Sequence, residues 1–389
     1  MREGWEYKKL GEVAQIVSGA TPKTNIEEYW GQGHYWVTPA ELNDSTIYVN
    51  KTERQITDAA LAKTNLQFLP KGTVLLSSRA PIGKVAICNT EMYCNQGFKN
   101  CICSEKLYNK YLFYYLKDKK EYLNSLGRGA TFKEISKSIV ENVIIPIPPK
   151  STQLAIASEL DKINELIRLK KEQLVEYDNL AQSIFYEMFG DPVENEKGWE
   201  VKKLGEVCND ITDGDHMPPP KSECGIPFLT ISDIDKDTRK LNFTNTFYVP
   251  ESYYDNLKEN RKARKGDLLY TVTGSYGIPV IVDTNKAFCF QRHIALLRPN
   301  PNLILTRFLC YWVLCDSIKA VADCVATGIA QKTVGLNSLR KFEIILPPLP
   351  LQQYFASRIE QIEKLKSEVQ NAITDLETLL ASRMQYWFE

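Results

Sequence analysis

Apolar residues recur along residues 151–189 at alternating steps of three and four: Leu160, Ile163, Ile167, Lys170, Leu174, Tyr177, Ala181, Ile184 and Met188. Only Lys170 in that series is charged, and its aliphatic stem can lie along an apolar seam. An a/d pattern held for about four heptads predicts a long helix paired in a coiled coil, not an ordinary amphipathic helix. Shifted by 199 residues, the pattern returns as Ile359, Ile362, Lys366, Val369, Ile373, Leu376, Leu380, Arg383 and Trp387. A proline-rich stop precedes each run. Ile145-Pro146-Ile147-Pro148-Pro149 leads to Gln153, and Ile345-Leu346-Pro347-Pro348 leads to Gln352. A stop followed by a long helix, occurring twice, marks an internal duplication.

The segments before each helix repeat as well. Gly4-Trp5-Glu6-Tyr7-Lys8-Lys9-Leu10-Gly11-Glu12-Val13 returns at an offset of 194 from Gly198 to Val207, with nine of ten residues shared. Lys71-Gly72-Thr73-Val74-Leu75-Leu76 answers Lys265-Gly266-Asp267-Leu268-Leu269-Tyr270 at the same offset. That offset sets Tyr35 against Leu229 and Trp36 against Thr230, so the aromatic-led strands 35–38 and 228–231 correspond with a small slip. Short strands are expected at 73–77 and 84–88 around the turn Ser78-Arg79-Ala80-Pro81-Ile82-Gly83. The second half repeats them at 268–273 and 279–282 around Gly274-Ser275-Tyr276-Gly277. An apolar helix is expected at 108–123 and again at 305–321, with aromatics such as Tyr111, Tyr114 and Tyr115 read as core. Glycine-containing loops follow at 127–133 and 327–333, then last strands at 143–147 and 342–346. The predicted order is α/β module, helix, α/β module, helix, bounded at 1–150, 151–190, 191–349 and 350–389.

Composition narrows the function. At 389 residues with 43% apolar content, the chain can build two sizeable cores. The N-terminus carries no hydrophobic signal region, and no apolar run approaches a membrane span, so a cytoplasmic protein is expected. Ten cysteines lack any Cys-x-x-Cys pair, which suits reduced structural thiols better than disulfides or a metal site. The net charge is zero, but it is segregated. Residues 1–150 carry 20 basic against 15 acidic residues, and 198–349 carry 19 against 17. The helical stretches 151–197 and 350–389 carry 5 against 10 and 4 against 6. That distribution fits two modules that touch phosphate and two helices that do not.

These residues carry a resemblance. The ordered double occurrence of the Gly-Trp opening, the Lys71-Gly72 strand with its Arg79-Ala80-Pro81-Ile82-Gly83-Lys84 turn, Asn95-Gln96-Gly97-Phe98, the loop at 127–133 and the Pro-Pro-x-x-x-Gln entrances resembles the DNA-specificity subunit of type I restriction–modification systems. The resemblance covers the whole chain. It implies an α+β architecture of two tandem target recognition domains, separated and followed by long helices that pack as an antiparallel coiled coil about a pseudo-two-fold axis. It implies double-stranded DNA as ligand, two methyltransferase subunits as partners and, in the restricting form, translocase–nuclease subunits. S-adenosylmethionine, ATP and magnesium would be used by those partners, and no cofactor or metal is expected on this chain. A helix of roughly 38 residues at ~1.5 Å each spans ~57 Å, enough to separate two modules by one or more ~34–36 Å turns of B-DNA. A bipartite, asymmetric site with an unread gap follows.

Base readout needs donors and acceptors on loops that enter a groove, and phosphate contacts need cations and glycine-rich backbone. The first module offers Arg79, Lys84, Gln96, Lys99, Arg128, Thr131 and Lys133. The second offers Thr273, Ser275, Tyr276, Gln291, Arg292, His293, Gln331 and Lys332. His34 and His216 lack partner clusters, and the sequence leaves open whether Trp5 and Trp199 face the helices or a partner. Catalytic signatures are missing: no Asn/Asp-Pro-Pro-aromatic motif with a cofactor loop, no Walker loop and no His-Glu-x-x-His. Glu6-Tyr7-Lys8 and Glu200-Val201-Lys202 match half of a nuclease motif, but their place at the repeat openings suits a structural role. A pure protein scaffold would explain the heptads, but not a retained frame with divergent polar loops.

Overall fold

The computed structural model describes residues 2–79, 81–129, 133–214, 219–328 and 331–389. They form two compact units, Met1–Lys171 with Asn371–Glu389, and Glu172–Gln370. The helices Lys150–Phe189 and Leu349–Phe388, each 40 residues, contribute a segment to both units.

In the first unit a five-stranded sheet runs in the order Ala14–Ser18, Lys99–Cys103, Val74–Leu76, Val85–Cys88 and Tyr48–Val49. A second sheet sets Trp30–Val37 between Gln55–Ile56 and Tyr93–Cys94. Side-chain alternation splits the core. Val74 and Leu76 face the helices Asn109–Asp118 and Lys120–Ser125, while Leu75 joins Val37, Leu69 and Phe98 on the other face. The second unit repeats this plan with Cys208–Asp213, Ile294–Pro299, Leu268–Thr271 and Pro279–Ile281. Beside them lie Phe247–Val249, Ile226–Leu229 and Cys289–Phe290. Leu268 and Tyr270 face its helices, and Leu269 the opposite core.

The repeat opening is a strand closing each unit: Glu6–Lys9 pairs antiparallel with Ile144–Ile147, and Glu200–Lys203 with Glu343–Leu346. Its Glu-x-Lys pairs internally, Lys8 to Glu6 at 2.6 Å and Lys202 to Glu200 at 3.3 Å. Two glutamines explain the Pro-Pro-x-x-x-Gln entrances. Gln153 is fully buried; its Oε1 accepts from Tyr108 N–H at 2.8 Å and its amide donates to the Lys106 and Pro148 carbonyls, both at 2.9 Å. Gln352 does the same with Leu305 N–H at 2.9 Å and the carbonyls of Leu303 and Pro347 at 3.1 and 2.8 Å. One fully buried side chain thus satisfies three backbone groups, one buried and two partly buried, at each helix entrance.

Within each unit the long helices run antiparallel. Glu159 accepts from Arg383 and from Trp387 Nε1, and Lys171 pairs with Glu377 at 2.9 Å. In the other unit Asp178 pairs with Lys366 at 2.7 Å, and the Phe185 and Phe355 rings meet edge-on at 5.6 Å. The predicted seam faces inward: Leu160, Ile163, Ile167, Ile184, Ile359, Ile362, Val369 and Ile373 are buried, and Leu174, Tyr177, Leu376 and Leu380 half-buried. Both repeat tryptophans meet a helix end in their own unit. Trp199 Nε1 donates to the Phe189 carbonyl at 2.8 Å, and the Arg2 guanidinium lies over Trp5, Tyr386 and Trp387 at 5.1, 4.7 and 5.4 Å.

Two expectations are corrected. The apolar helices expected over 108–123 and 305–321 are each broken, into Asn109–Asp118 and Lys120–Ser125, and into Thr306–Val313 and Asp316–Val325. The chain leaves helical geometry at Lys119 and Cys315, and the second pieces return Leu123, Ile318 and Ala322 to the core. Asp316 sits in the first turn of its helix, where the dipole favours a carboxylate. The strand correspondence also slips further than the 194 offset suggests. Thr38 N–H donates to Glu41 at 2.8 Å and Thr230 N–H to Asp233 at 2.7 Å, so Thr230 answers Thr38 and Phe228 answers Trp36. His34 meets a single exposed carboxylate, Asp58 Oδ1 at 2.8 Å, and belongs to no cluster of metal-ligating groups among the described residues. His216 lies outside the described residues.

Candidate nucleic-acid interface

Three loops distant in sequence converge in each module, held by equivalent backbone hydrogen bonds. In the first, Ser78 N–H donates to the Gly97 carbonyl at 2.7 Å, and Ile135 N–H to the Ser78 carbonyl at 3.0 Å. In the second, Val272 N–H donates to His293 and Val334 N–H to Val272, both at 2.9 Å. The glycine loop folds back on itself in both, through the bridges Arg128↔Glu134 and Thr327↔Thr333. It also touches the turn, through Arg79↔Glu134 and Thr273↔Thr333.

A buried hydroxyl shapes each turn from inside. Ser77 Oγ donates to the Pro81 carbonyl at 2.7 Å and accepts from Lys84 N–H at 2.8 Å. Thr271 Oγ1 donates to the Ser275 carbonyl at 2.8 Å and accepts from Ile278 N–H at 3.0 Å. Close approach demands glycine beside the second loop. A Cβ added at Gly19 would lie 1.8 Å from the Asn95 carbonyl oxygen, and one at Gly214 1.9 Å from that of Phe290.

The side chains on this common backbone diverge. In the first module Gln96, Arg128 and Lys133 are exposed and Arg79 is half-exposed; Gln96 accepts from the Thr21 hydroxyl. Two predicted cations are held internally. Lys84 Nζ donates to the Pro39 carbonyl at 2.9 Å. Lys99 is only 8% exposed, and its ammonium lies 3.4 Å from Ser78 Oγ and 3.3 Å from Glu134 Oε1. Neither reaches a phosphate without giving up these partners. Thr131 lies outside the described residues.

In the second module Ser275, Arg292, Gln331 and Lys332 are exposed, while Gln291, His293 and Tyr276 are half-buried. Thr273 is 8% exposed and accepts from Thr333 Oγ1 at 3.2 Å, which gives it a framework position. Arg292 Nε donates to His293 Nε2 at 3.4 Å. Burial, then the neighbouring Arg292 charge, lowers the His293 pKa from the ordinary histidine value. Tyr276 donates to Asp323, and that hydrogen bond, with burial, raises its pKa.

The sequence reading did not pick out Thr21, Glu134, Asp323 or Lys236. Lys236 sits in the turn of the hairpin Ile234–Asp235 and Lys240–Leu241, and its Nζ donates to Ser275 Oγ at 3.2 Å. In the same turn, Arg239, at a left-handed φ of 52°, pairs with Asp178 on the long helix. Short polar hairpins like this carry no strand signature. Glu134 and Asp323 gave no signal because each matters only through a partner distant in sequence.

Among the described residues no group of three or more His, Cys, Asp or Glu side chains is placed to hold a metal ion. The ten cysteines are free thiols, seven of them buried, and burial pushes Cys208 up to about 12. No helix among the described residues is long and apolar enough to cross a membrane.

A family model described as the type I restriction modification DNA specificity domain matches the chain twice, over residues 2–176 and 196–377. The MjaIX specificity subunit of Methanocaldococcus jannaschii, a type I restriction enzyme component, is 31% identical over 382 residues, covering 92% of this chain and 86% of its own length. The EcoKI specificity subunit of Escherichia coli is 22% identical, covering 98% of this chain and 87% of its own length. Among solved structures, a chain from a type I R-M system superposes with a TM-score of 0.64 at 21% identity, covering 100% and 98% of the two chains. The S subunit from M. genitalium gives 0.52 at 16% identity, covering 99% and 96%. These two likenesses support the fold.

Proposed function

The chain belongs to the type I restriction–modification DNA specificity family, and from that premise we propose that each module reads one half of an asymmetric, bipartite duplex site. The observation that carries the reading is the loop convergence: identical backbone bonds hold the same three loops in both modules, while the side chains they present differ. A fixed frame with variable donors and acceptors is what reading two different base sequences requires. In this reading the residues that meet DNA are Arg79, Gln96, Arg128, Thr131 and Lys133 in one module. In the other they are Ser275, Tyr276, Gln291, Arg292, His293, Gln331 and Lys332.

The long helices set the gap and dock two methyltransferase subunits. Forty residues at ~1.5 Å each give ~60 Å, more than one ~34–36 Å turn of B-DNA. Lengthening the first helix within residues 165–179 changes the gap and leaves both half-sites alone. S-adenosylmethionine, ATP and magnesium belong to the methyltransferase and translocase–nuclease partners, and this chain contributes recognition without catalysis. Its zero net charge means that partners supply much of the phosphate affinity. The isolated chain therefore binds DNA weakly and with a shallow salt dependence.

The test is a methylation map. The chain is co-expressed with the methyltransferase subunit of its host, and modified adenines are located by sequencing. One motif of two short blocks around a constant gap is the expected result. A stable complex with active methyltransferase but no motif points to a protein scaffold instead.

A further inference from the structure

We propose that Arg79 is a base-reading residue of the first module and that it selects guanine in the major groove; this rests on the DNA-recognition reading above. Four observations converge on it. The backbone at Ser78 and Arg79 is tied down: Ser78 donates to Gly97, Ile135 donates to Ser78, and Arg79 itself bridges Glu134. Its side chain passes over a glycine, since a Cβ at Gly97 would lie 3.5 Å from Arg79 Nε. The other two cations packed into this junction, Lys84 and Lys99, are held on Pro39, Ser78 and Glu134. The Arg79 guanidinium has no hydrogen bond or ion pair to any described residue, and it is half-exposed.

A cation aimed by a tied backbone, with no partner among the described residues, where three loops meet differs from one on a loop margin. Arg128 and Lys133 are exposed on the glycine loop, which suits phosphate. The planar guanidinium matches the O6 and N7 acceptors of guanine with two parallel N–H donors, a pairing that no other base edge offers. The second module holds Thr273 at the equivalent position, engaged by the Thr333 hydroxyl, and carries its exposed arginine on the neighbouring loop as Arg292. The cation thus changes loops between modules, so the two half-sites place this contact at different base positions.

The experiment maps adenine methylation for the complex formed with the methyltransferase partner, comparing the wild-type chain with Arg79→Ala and Arg79→Gln. Arg79→Ala is expected to make one guanine of one block degenerate, its preference falling roughly tenfold to a hundredfold, with the other block unchanged. Arg79→Gln guards against a folding failure of the alanine variant. It cannot donate to O6 and N7 together, and guanine preference is lost at the same position, shifting towards adenine. Uniformly reduced methylation with an unchanged motif overturns the proposal, because that is the signature of a phosphate contact. An unchanged guanine in Arg79→Gln, or a change in the second block, also overturns it. No motif for the wild-type complex would instead defeat the DNA-recognition reading itself.

Discussion

The two modules share their joints and differ in what hangs from them. In both, the turn at 77–84 or 271–278 is stitched to its neighbouring loops by main-chain hydrogen bonds and a buried hydroxyl, Ser77 or Thr271. In both, a buried glutamine closes the entrance to a long helix. The differences lie where no main-chain bond depends on side-chain identity: Arg79 against Thr273, Lys99 against Ala295, Gln96 against Arg292. One difference is mechanical. The second module carries a hairpin whose turn touches the readout loop through Lys236 and Ser275 and the long helix through Arg239 and Asp178. The lesson is that a frame built from backbone bonds leaves its surface free to diverge.

The comparison breaks most readily at the aromatic knot of the second unit. Phe355 lies 5.6, 5.3 and 5.5 Å from the rings of Phe185, Phe189 and Tyr311, and its repeat partner in the first unit is the buried Ile156. Phe355→Ala is expected to cost about 3–5 kcal/mol and Ile156→Ala somewhat less, about 2–4 kcal/mol, read by denaturant melts of the full chain. A larger loss for Ile156→Ala would contradict the packing described. The glutamine entrances give the symmetric case. Gln153→Leu and Gln352→Leu each strand three backbone groups, one buried and two partly buried, with a similar expected loss of about 2–4 kcal/mol. Unequal losses in the two variants would show that the entrances are not equivalent.

The hairpin gives a smaller, one-sided effect. Asp178→Asn leaves Arg239 and Lys366 facing each other without a carboxylate, a loss of about 1 kcal/mol for this partly exposed pair that shrinks with added salt. A melt insensitive to both substitution and salt would rule out a contribution from the contact. The smallest effect is His293. Its pKa is lowered in the folded chain, so the unfolded chain binds the proton more readily. Stability is therefore complete above the ordinary histidine range near 6.5 and declines as pH falls through it. His293→Gln flattens that decline, and an identical pH–stability curve would refute the assignment.

Much of this was legible in the sequence because it repeats. The heptad seam, the Gly-Trp openings and the Pro-Pro-x-x-x-Gln entrances are local patterns with local causes, and all recur in the structure. A small slip between the strands 35–38 and 228–231 was legible, but not its size, since the match of Thr38 with Thr230 rests on each threonine's bond to a carboxylate, Glu41 or Asp233, in otherwise unlike strands. The helix breaks at Lys119 and Cys315 fall where each apolar run gives way to polar residues, Lys117 to Glu121 in one and Asp316-Ser317 in the other, a signal that the expected continuous helices passed over. Lys99 reads as an exposed cation by residue type. Strand alternation places it on the face of Cys101, and that signal could have marked it as buried. Pairings across tens of residues, such as Lys99 with Glu134, leave no trace in a single sequence.

The central claim, that each module reads its own block, is tested most directly by exchanging residues 1–150 for the corresponding module of another family member and mapping adenine methylation again. The account predicts that one block of the motif changes while the other block and the gap stay as they were. A change in both blocks, or in neither, would contradict it.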